Sequence, residues 1–156
     1  MKVISDTAEY ALRAVVWLVQ TPDESQTTRQ IAEGTRTPLD YQSKVLQLLA
    51  KSGITKSQRG TGGGIRLNVS PDGLTVLDVI NAVDPIQRIH SCPLGLKEHG
   101  TCLCPMHRGL NDAVKTVEAA FKNTLVADLL KTRSKSVPLG IDLPLRAPRK
   151  PKQASA

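Results

Sequence analysis

The residues best suited to chemistry lie in one short stretch, from Cys92 to His107. It contains every cysteine of the chain (Cys92, Cys102 and Cys104) and two of the three histidines (His99 and His107). Thiolate and imidazole groups bind zinc and iron–sulfur clusters readily, whereas magnesium and calcium prefer oxygen ligands. The stretch therefore indicates a metal site or a set of redox-active thiols, and donors of these types suit either zinc or an iron–sulfur cluster.

The end of this stretch is predicted to begin a helix. Pro105 suits the first helical position, because its ring presets φ and the N–H that it lacks would have no partner there. Cys104 would then be the N-cap residue, where the positive end of the helix dipole favours a thiolate. His107 lies one turn further on, so we expect it on the same face of the helix as Cys104.

Length and composition set the class of protein. A chain of 156 residues has room for one domain with a hydrophobic core and an appendage. It has neither an apolar run of about 18 residues nor a basic-then-apolar signal sequence, so we expect a soluble cytoplasmic protein with no membrane partner. In a reducing cytosol, clustered cysteines indicate metal or redox chemistry more than structural disulfides.

The net charge of +7 is concentrated at one end of the chain. Residues 131–156 carry seven Lys or Arg and one Asp, which gives +6. Residues 1–130 carry 14 Lys or Arg and 13 Asp or Glu, so their net charge is only +1. A nucleic-acid surface on the body of the protein must therefore be inferred from the positions of individual charges.

Helical periodicity over residues 7–20, 27–33 and 38–51 predicts three helices near the N-terminus. Gly34 is predicted to end the second of them as a left-handed cap. The third has an apolar and a polar side, made respectively of Leu39, Val45, Leu46, Leu48 and Leu49 and of Asp40, Tyr41, Gln42, Ser43, Lys44 and Gln47. Two helices joined by a tight turn, the second with a polar outer face, form the helix-turn-helix pattern.

A basic hairpin is predicted directly after this pair of helices. Residues 54–59 and 65–69 are strand-like runs on either side of a glycine-rich tip. Three side chains place positive charge on the hairpin with no acidic residue among them: Lys56, Arg59 and Arg66. Such a hairpin is a wing, which contacts phosphates or the minor groove while the recognition helix enters the major groove.

The candidate DNA contacts come from the helix-turn-helix and the wing. In the helices they are Thr28, Pro38, Leu39, Asp40, Tyr41, Gln42, Ser43 and Lys44, and in the wing they are Lys56, Arg59, Gly60, Gly62 and Arg66. A glutamine can pair with adenine edges and a lysine with guanine or phosphate. The sequence leaves open which of these residues touch bases.

The rest of the chain divides into three parts. A helix over residues 75–83 completes a winged-helix DNA-binding domain (1–84), and the cysteine-rich loop (85–104) follows. Residues 105–131 are predicted as a dimerisation helix whose long helical part runs from Pro105 to about Lys122, because Leu110, Val114, Val117 and Phe121 form an apolar stripe that Leu125 and Leu129 continue beyond Asn123. Residues 132–156 are predicted to be a disordered basic tail. The expected fold is mostly α-helical with a small β-hairpin wing.

The sequence resembles the Rrf-type winged-helix regulators, a bacterial family that includes the iron–sulfur cluster regulator IscR and the nitric-oxide-sensing repressor NsrR. The resemblance covers residues 1–131 and rests on six segments: Ala8-Glu9-Tyr10-Ala11-Leu12-Arg13, Leu39-Asp40-Tyr41-Gln42-Ser43-Lys44-Val45-Leu46, Arg59-Gly60-Thr61-Gly62-Gly63-Gly64, Cys92, Cys104-Pro105-Met106-His107 and Thr124-Leu125-Val126-Ala127-Asp128-Leu129. It implies a homodimer on a palindromic, double-stranded operator, with a [2Fe–2S] or [4Fe–4S] cluster that changes DNA affinity.

The resemblance also implies ligands for the cluster. Cysteines of this loop hold it in the family, and the fourth ligand varies. His107 matches the histidine used by IscR, and Glu9 matches an acidic residue that reaches over from the partner subunit in NsrR-like members. The usual middle cysteine is missing near position 98, and Cys102 stands only two residues before Cys104.

The predicted ligands therefore differ in rank. Cys92 and Cys104 are the principal ones and Cys102 is a further one, while His107, Glu9 and His99 compete for the remaining place. If the segment were extended, Cys102 and Cys104 would point in opposite directions, so both reach one cluster only across a bend.

These observations predict a DNA-binding transcriptional regulator, expected to be a repressor, whose operator affinity is switched by an iron–sulfur cluster sensing redox, nitric oxide or iron status. The alternatives are a regulator structured by zinc, a regulator switched by thiols without a cluster, and an iron–sulfur electron carrier. The last would leave the basic wing unexplained. The sequence has no paired carboxylates, Ser-His-Asp arrangement or cofactor fingerprint, so we expect neither an enzyme nor a small-molecule substrate.

Overall fold

The helices and strands of the computed structural model follow the predicted order. It describes residues 3–22, 24–60, 62–96, 102–131, 136 and 138–140. In these residues the elements are α1 (Asp6–Gln20), α2 (Thr28–Thr35), α3 (Leu39–Lys51), β1 (Thr55–Gln58), β2 (Gly64–Leu67), α4 (Val76–Val83), α5 (Pro105–Lys122), α6 (Val126–Lys131) and a 3₁₀ turn (Pro138–Gly140). The fold is mostly α-helical with one antiparallel hairpin, as predicted.

Reciprocal caps determine where two of the helices begin. Thr27 and Gln30 form a capping box at the start of α2, and Thr75 and Asp78 form the equivalent box at α4. Each box satisfies two backbone N–H groups that the first turn of a helix leaves unpaired.

One main core holds the winged-helix body together. Helices α1, α2, α3, α4 and α6 supply most of its buried residues, which are Ala11, Ala14, Val15, Leu18, Ile31, Val45, Leu46, Leu49, Ile54, Leu74, Val79 and Val126. A smaller cluster of Ala8, Val76 and Ile80 lies beside it, with Phe121 of α5 packed against it. Burial of an aliphatic side chain contributes about 1.5–3 kcal/mol, so this core fixes α2 and α3 firmly on α1 and α4.

The turn between α2 and α3 differs from the prediction. Helix α2 continues through Gly34 to Thr35, and the left-handed residue that ends it is Arg36, with φ of 53°. Gly34 meets another requirement, because a Cβ at this position would overlap the ring of Trp17, which packs on the core. The glycine therefore marks a close approach of α1 and α2, and its assignment as a cap is wrong.

The predicted end of the long helix at about Lys122 is confirmed, whereas the dimerisation helix of residues 105–131 is divided into two helices. Helix α5 ends at Lys122, and α6 begins at Val126, which is fully buried in the main core. The Val126 N–H donates to the Leu74 carbonyl at 2.9 Å, so at Val126 the chain packs against the winged-helix body. An apolar stripe at helical spacing does not show whether its members face a second chain or the chain's own core.

An exposed ion pair lies at the end of α6. Lys131 Nζ lies 3.2 Å from Asp72 Oδ1, and this hydrogen bond raises the pKa of Lys131 above its ordinary value. The predicted disordered tail that follows, residues 132–156, falls mostly outside the described residues. Among those that are described, no helix combines the length and hydropathy of a transmembrane span.

Candidate DNA interface and cysteine site

The exposed side of α3 carries Tyr41 and Lys44. Tyr41 is 46% exposed, and Lys44 Nζ lies 5.9 Å from the centroid of its ring. The Tyr41 ring makes an edge contact with Tyr10 of α1 at a centroid distance of 5.7 Å, and Arg13 lies 5.6 Å from the Tyr10 ring. Each exposed cation–aromatic contact contributes about 0.5–1 kcal/mol. The contacts hold the outer side chains of α3 in place and connect them to α1.

Gln42 does not lie on this exposed side. Its side chain is fully buried, and neither its amide nitrogen nor its amide oxygen has a hydrogen-bond partner. Gln42 precedes the core residues Val45 and Leu46 by three and four positions, so all three share one face of α3. The prediction that placed Gln42 on the polar face is wrong, and in this conformation the side chain cannot reach a base.

The other predicted contacts in the helices lie around the start of α3. Pro38 is exposed at the N-cap and supplies no side-chain cap, which leaves the first N–H groups of α3 open to an anion. Leu39 is 39% exposed, so its assignment to the apolar side is wrong, while Asp40 beside it is exposed as expected. Ser43 donates its hydroxyl to the Leu39 carbonyl at 3.1 Å. Thr28 is half-buried at the first position of α2.

The tip of the wing is open to solvent. Gly60 and Gly62 have φ of 99° and 76°, in the left-handed region that favours glycine. No atom lies within 4 Å of a Cβ built at either position, and Arg59 beside them is exposed. The tip therefore presents backbone and one cation to a partner, as a phosphate contact requires.

The base of the wing is hydrogen-bonded to the segment that precedes α2. Lys56 and Arg66 lie opposite each other in the hairpin, and Lys56 is exposed. Arg66 Nε donates to Ser25 Oγ at 2.6 Å, and Gln26 exchanges backbone hydrogen bonds with Ile65. Arg66 therefore stabilises the wing beside α2, while Lys56 and Arg59 are its exposed cations.

The predicted start of α5 is confirmed. Pro105 is the first helical residue, and Cys104 is the N-cap. His107 is 8% exposed, and its Nδ1 lies 3.3 Å from Cys104 Sγ. Sulfur and nitrogen ligands of one tetrahedral metal are about 3.6 Å apart, given metal–ligand distances of about 2.3 and 2.05 Å. The observed 3.3 Å is the length of a hydrogen bond between sulfur and nitrogen, and it is close enough to this value for the two side chains to become neighbouring ligands of one metal ion.

The other two cysteines have different surroundings. Cys92 is buried, and the chain turns after it through a hydrogen bond from Gly95 N to the Cys92 carbonyl at 3.0 Å. Cys102 is exposed, and Arg108 Nη2 lies 2.9 Å from its sulfur. All three cysteines are free thiols.

One chain brings together only part of the predicted ligand set. Among the described residues, no three His, Cys, Asp or Glu side chains converge as metal ligands. Cys104 and His107 are adjacent, Cys102 contacts Arg108 instead, and His99 falls outside the described residues. Glu9 forms an ion pair with Arg13 on α1. The further ligands of a cluster would have to come from the loop in another conformation or from a second chain.

A group of hydrogen bonds centred on Arg88, called the Arg88 node below, joins the cysteine loop to α5 and was not predicted from the sequence. Arg88 donates to Asn111 Oδ1 at 2.8 Å and to Glu118 Oε2 at 2.7 Å. Asn111 also accepts the Ile89 N–H at 3.1 Å, so the segment before Cys92 is fixed along α5. The partners of Arg88 lie 23 and 30 residues away, and no local pattern predicts such a pairing.

Comparison with known proteins supports a role in transcription. The sequence profile of the Rrf2 family, described as iron-dependent transcriptional regulators, matches residues 4–132. A protein of Aquifex aeolicus (strain VF5), named as an HTH-type transcriptional regulator, is 28% identical over 136 residues, which cover 85% of this chain and 94% of the relative.

Solved structures share the fold. IscR of T. potens superposes with a TM-score of 0.69 at 23% identity, over 84% of this chain and 87% of that one. CymR, the global cysteine regulator of B. subtilis, gives a TM-score of 0.66 at 24% identity, over 83% of this chain and 96% of that one. The profile match, which extends from α1 through α6, shows that the chain belongs to the Rrf2 family of transcriptional regulators.

Proposed function

We propose that this regulator is a homodimeric repressor whose affinity for a palindromic operator depends on an iron–sulfur cluster bound at the start of α5. The observation that carries the proposal is the Cys104–His107 pair, with 3.3 Å between sulfur and nitrogen at the first turn of that helix. The description of the family as iron-dependent and the shared fold with an IscR support it.

Four residues of the chain would hold the cluster. Cys104 and His107 are already adjacent, and Cys92 and Cys102 flank the part of the loop that would have to close on them. Glu9 of a second chain is the alternative to His107. When bound, the cluster would supply a centre that oxygen, nitric oxide or iron shortage can destroy.

The proposed DNA contacts are exposed residues of the winged-helix domain (residues 1–84), called the head below. The start of α3, with Tyr41 and Lys44 on its outer side, would enter the major groove. Lys56 and Arg59 on the wing would contact phosphates, which fix orientation without reading sequence. Gln42 has no direct part in this interface, because its side chain is buried.

The apolar side of α5 would join two chains. Met106 and Leu110 are 62% and 53% exposed, and Val114 and Val117 on the same stripe are half-buried. Pairing with the same stripe of a second chain would remove this surface from water in a two-fold arrangement. Since Cys104 caps the same helix, the loop lies where it can affect the spacing of the two heads.

A thiol-switched regulator is the second candidate function. Cys102 is an exposed free thiol in contact with Arg108, so solvent oxidants can reach it without the loss of a cluster. The shared fold with a cysteine regulator is compatible with this candidate. A regulator structured by zinc at the same donors is the third.

Anaerobic purification with metal analysis separates these candidates. We expect a brown protein that contains iron and inorganic sulfide, and we expect Cys104→Ser to lose both. We also expect His107→Ala to lose iron and sulfide and His90→Ala, its matched control, to keep both, because His90 is exposed and lies outside the pair. A colourless protein with stoichiometric zinc would support the zinc alternative, and a colourless, metal-free protein would support the thiol switch.

A further inference from the structure

A cavity of about 320 Å³ lies between the end of α1 and the base of the wing. Its apolar walls are formed chiefly by Leu18, Val19, Leu67 and Val69. Lys56 and Arg66 are the charged residues that line it, and among the described residues no acidic side chain does so. Small-molecule sites combine apolar walls with a few polar groups, and this cavity has both, at the lower end of the usual size.

Neither of the two cations forms an ion pair with an acidic side chain in the part of the chain that the structure describes. Lys56 and Arg66 are opposite each other in the hairpin, so their side chains lie on one face, where like charges repel. Arg66 Nε donates to the neutral hydroxyl of Ser25 at 2.6 Å. Of the acidic residues that follow a lining residue in the sequence, Asp72 is engaged in the ion pair at the end of α6, and Asp23 lies outside the described residues. The cavity therefore presents unpaired positive charge beside apolar walls, which suits an organic anion.

One of these cations also belongs to the proposed DNA interface. Lys56 is exposed, and its proposed role there is contact with a phosphate, whereas Arg66 stabilises the wing beside α2. An anion that pairs with both cations would keep Lys56 from a DNA phosphate. Ligand and DNA would then oppose each other's binding, and by linkage the effect on affinity is the same in both directions.

We propose that this cavity binds a small organic anion, with its acidic group at Lys56 and Arg66 and a short apolar chain against the walls, and that binding weakens the contact between the wing and DNA. Arginine and lysine hold carboxylate and phosphate groups through charge-assisted hydrogen bonds. Inorganic phosphate would satisfy only the cations, because it leaves the apolar walls in contact with water. The ligand site does not depend on the function proposed for the head, whereas its effect on DNA rests on that function.

Amide chemical shifts of the full chain test the ligand site without DNA. The probe is hexanoate, and we expect saturable shifts of the Val19, Lys56 and Arg66 amides with a dissociation constant of about 1 mM, within the limit for a ligand of this size. Hexanol and inorganic phosphate each match only one part of the site, so each should bind at least about fivefold more weakly. Phosphate binding as tight as that of hexanoate would mean a basic patch without a cavity site. Equally tight binding of hexanol would mean that the cations play no part, and either result overturns the proposal.

Val69→Glu is designed to block the cavity. Val69 is 38% exposed, so a carboxylate should be tolerated at this position, where it would pair with the cations in place of hexanoate. We expect the affinity for hexanoate to fall by about tenfold or more. Val3→Glu is the matched control, because Val3 is 55% exposed and does not line the cavity, and its affinity for hexanoate should stay within about twofold of the native value. Native affinity in the Val69→Glu chain would show that hexanoate binds elsewhere and would overturn the site.

The effect on DNA is measured with the same ligand. Fluorescence anisotropy of a fluorescein-labelled duplex of generic sequence, about 40 base pairs long, gives the DNA affinity at constant ionic strength. Hexanoate at about ten times its dissociation constant should weaken DNA binding by about fivefold relative to the same concentration of acetate, which controls for salt. Neither Lys56→Gln nor Val69→Glu should show this difference, because the first lacks the cation for which ligand and DNA compete and the second does not bind the ligand.

The ligand site and its effect on DNA fail separately. A DNA affinity that is the same in hexanoate and in acetate, with hexanoate bound, would overturn the regulation and leave the ligand site. An equal loss of DNA affinity in the native and Lys56→Gln chains would overturn the competition for Lys56. If the native chain binds no duplex, the DNA-binding function proposed for the head fails and the regulation fails with it, while the amide shifts still decide the ligand site.

Discussion

At the scale of single residues, the cysteine site shows how far local sequence can predict chemistry. Pro105 and Cys104 determine the start of α5 by their own properties, so the N-cap and the neighbouring His107 were predicted correctly. The remaining ligands depend on where distant parts of the chain lie. Cys92 is buried, whereas Cys102 is exposed and contacts Arg108, and local sequence does not predict these different surroundings.

Gln42 gives a residue-scale prediction about stability. Its buried amide has no hydrogen-bond partner, and such a group costs about 1–3 kcal/mol. We therefore expect Gln42→Leu to raise the free energy of unfolding by about that amount, as measured by urea denaturation. DNA affinity should stay within about twofold, because the native side chain does not reach the surface.

The control for this prediction lies on the same helix. Gln47→Leu replaces an exposed glutamine, so it should change the free energy of unfolding by less than about 0.5 kcal/mol. Destabilisation by Gln42→Leu would mean that the amide has a partner in solution. A large loss of DNA affinity would return Gln42 to the set of base-reading residues.

The errors at this scale have a common cause. Gln42 and Leu39 were each assigned to a side of α3 by polarity, whereas the helical period assigns Gln42 to the core with Val45 and Leu46. Residue type is a weaker guide than position when one face of a helix is fixed by packing. A strict use of the period would have placed Gln42 correctly.

At the scale of elements, α5 differs from every other helix of the described residues in how little it buries. Only His107 of its residues is buried, whereas α1 buries six and the shorter α2 three. The Arg88 node and Phe121 hold α5 on the body, and its N-terminal half keeps apolar side chains in solvent. This helix therefore has a free face that a second chain would cover.

Leu110→Glu tests the role of that face. Because Leu110 is 53% exposed, a charge there should leave the single chain folded but weaken dimerisation by roughly 100-fold or more. We expect sedimentation velocity across a concentration series to show a dimer for the native chain and monomers for the variant. Ala119→Glu is the matched control, because Ala119 is exposed on the opposite side of α5 and should leave the dimer unchanged.

The order and type of the elements were largely predictable, because hydrophobic period and turn residues are local signals. The residue that ends α2 and the break between α5 and α6 were not predictable in this way. Gly34 allows the close packing of Trp17 and does not end α2, and α5 and α6 are separate because Val126 packs in the core. Both errors concern contacts between residues far apart in the chain.

At the scale of the whole molecule, a series of side-chain contacts connects Glu9, a proposed cluster ligand, to the outer side of α3. Glu9 pairs with Arg13, and Arg13 and Tyr10 connect through Tyr41 to the outer side of α3. A second chain that approached Glu9 would thus contact an element bound to α3, the proposed recognition helix. Such an arrangement would let events at a subunit boundary alter the DNA-reading surface, with coupling typically worth about 1–3 kcal/mol.

The most direct test of the account is the operator affinity of one preparation, measured anaerobically with its iron–sulfur cluster and again after the cluster is removed. An operator fragment recovered from genomic DNA by selection would serve as the probe, at a fixed salt concentration. We predict dissociation constants that differ by roughly tenfold or more, and a Cys104→Ser protein that shows no such difference. Equal affinities of the loaded and cluster-free native protein would contradict the account.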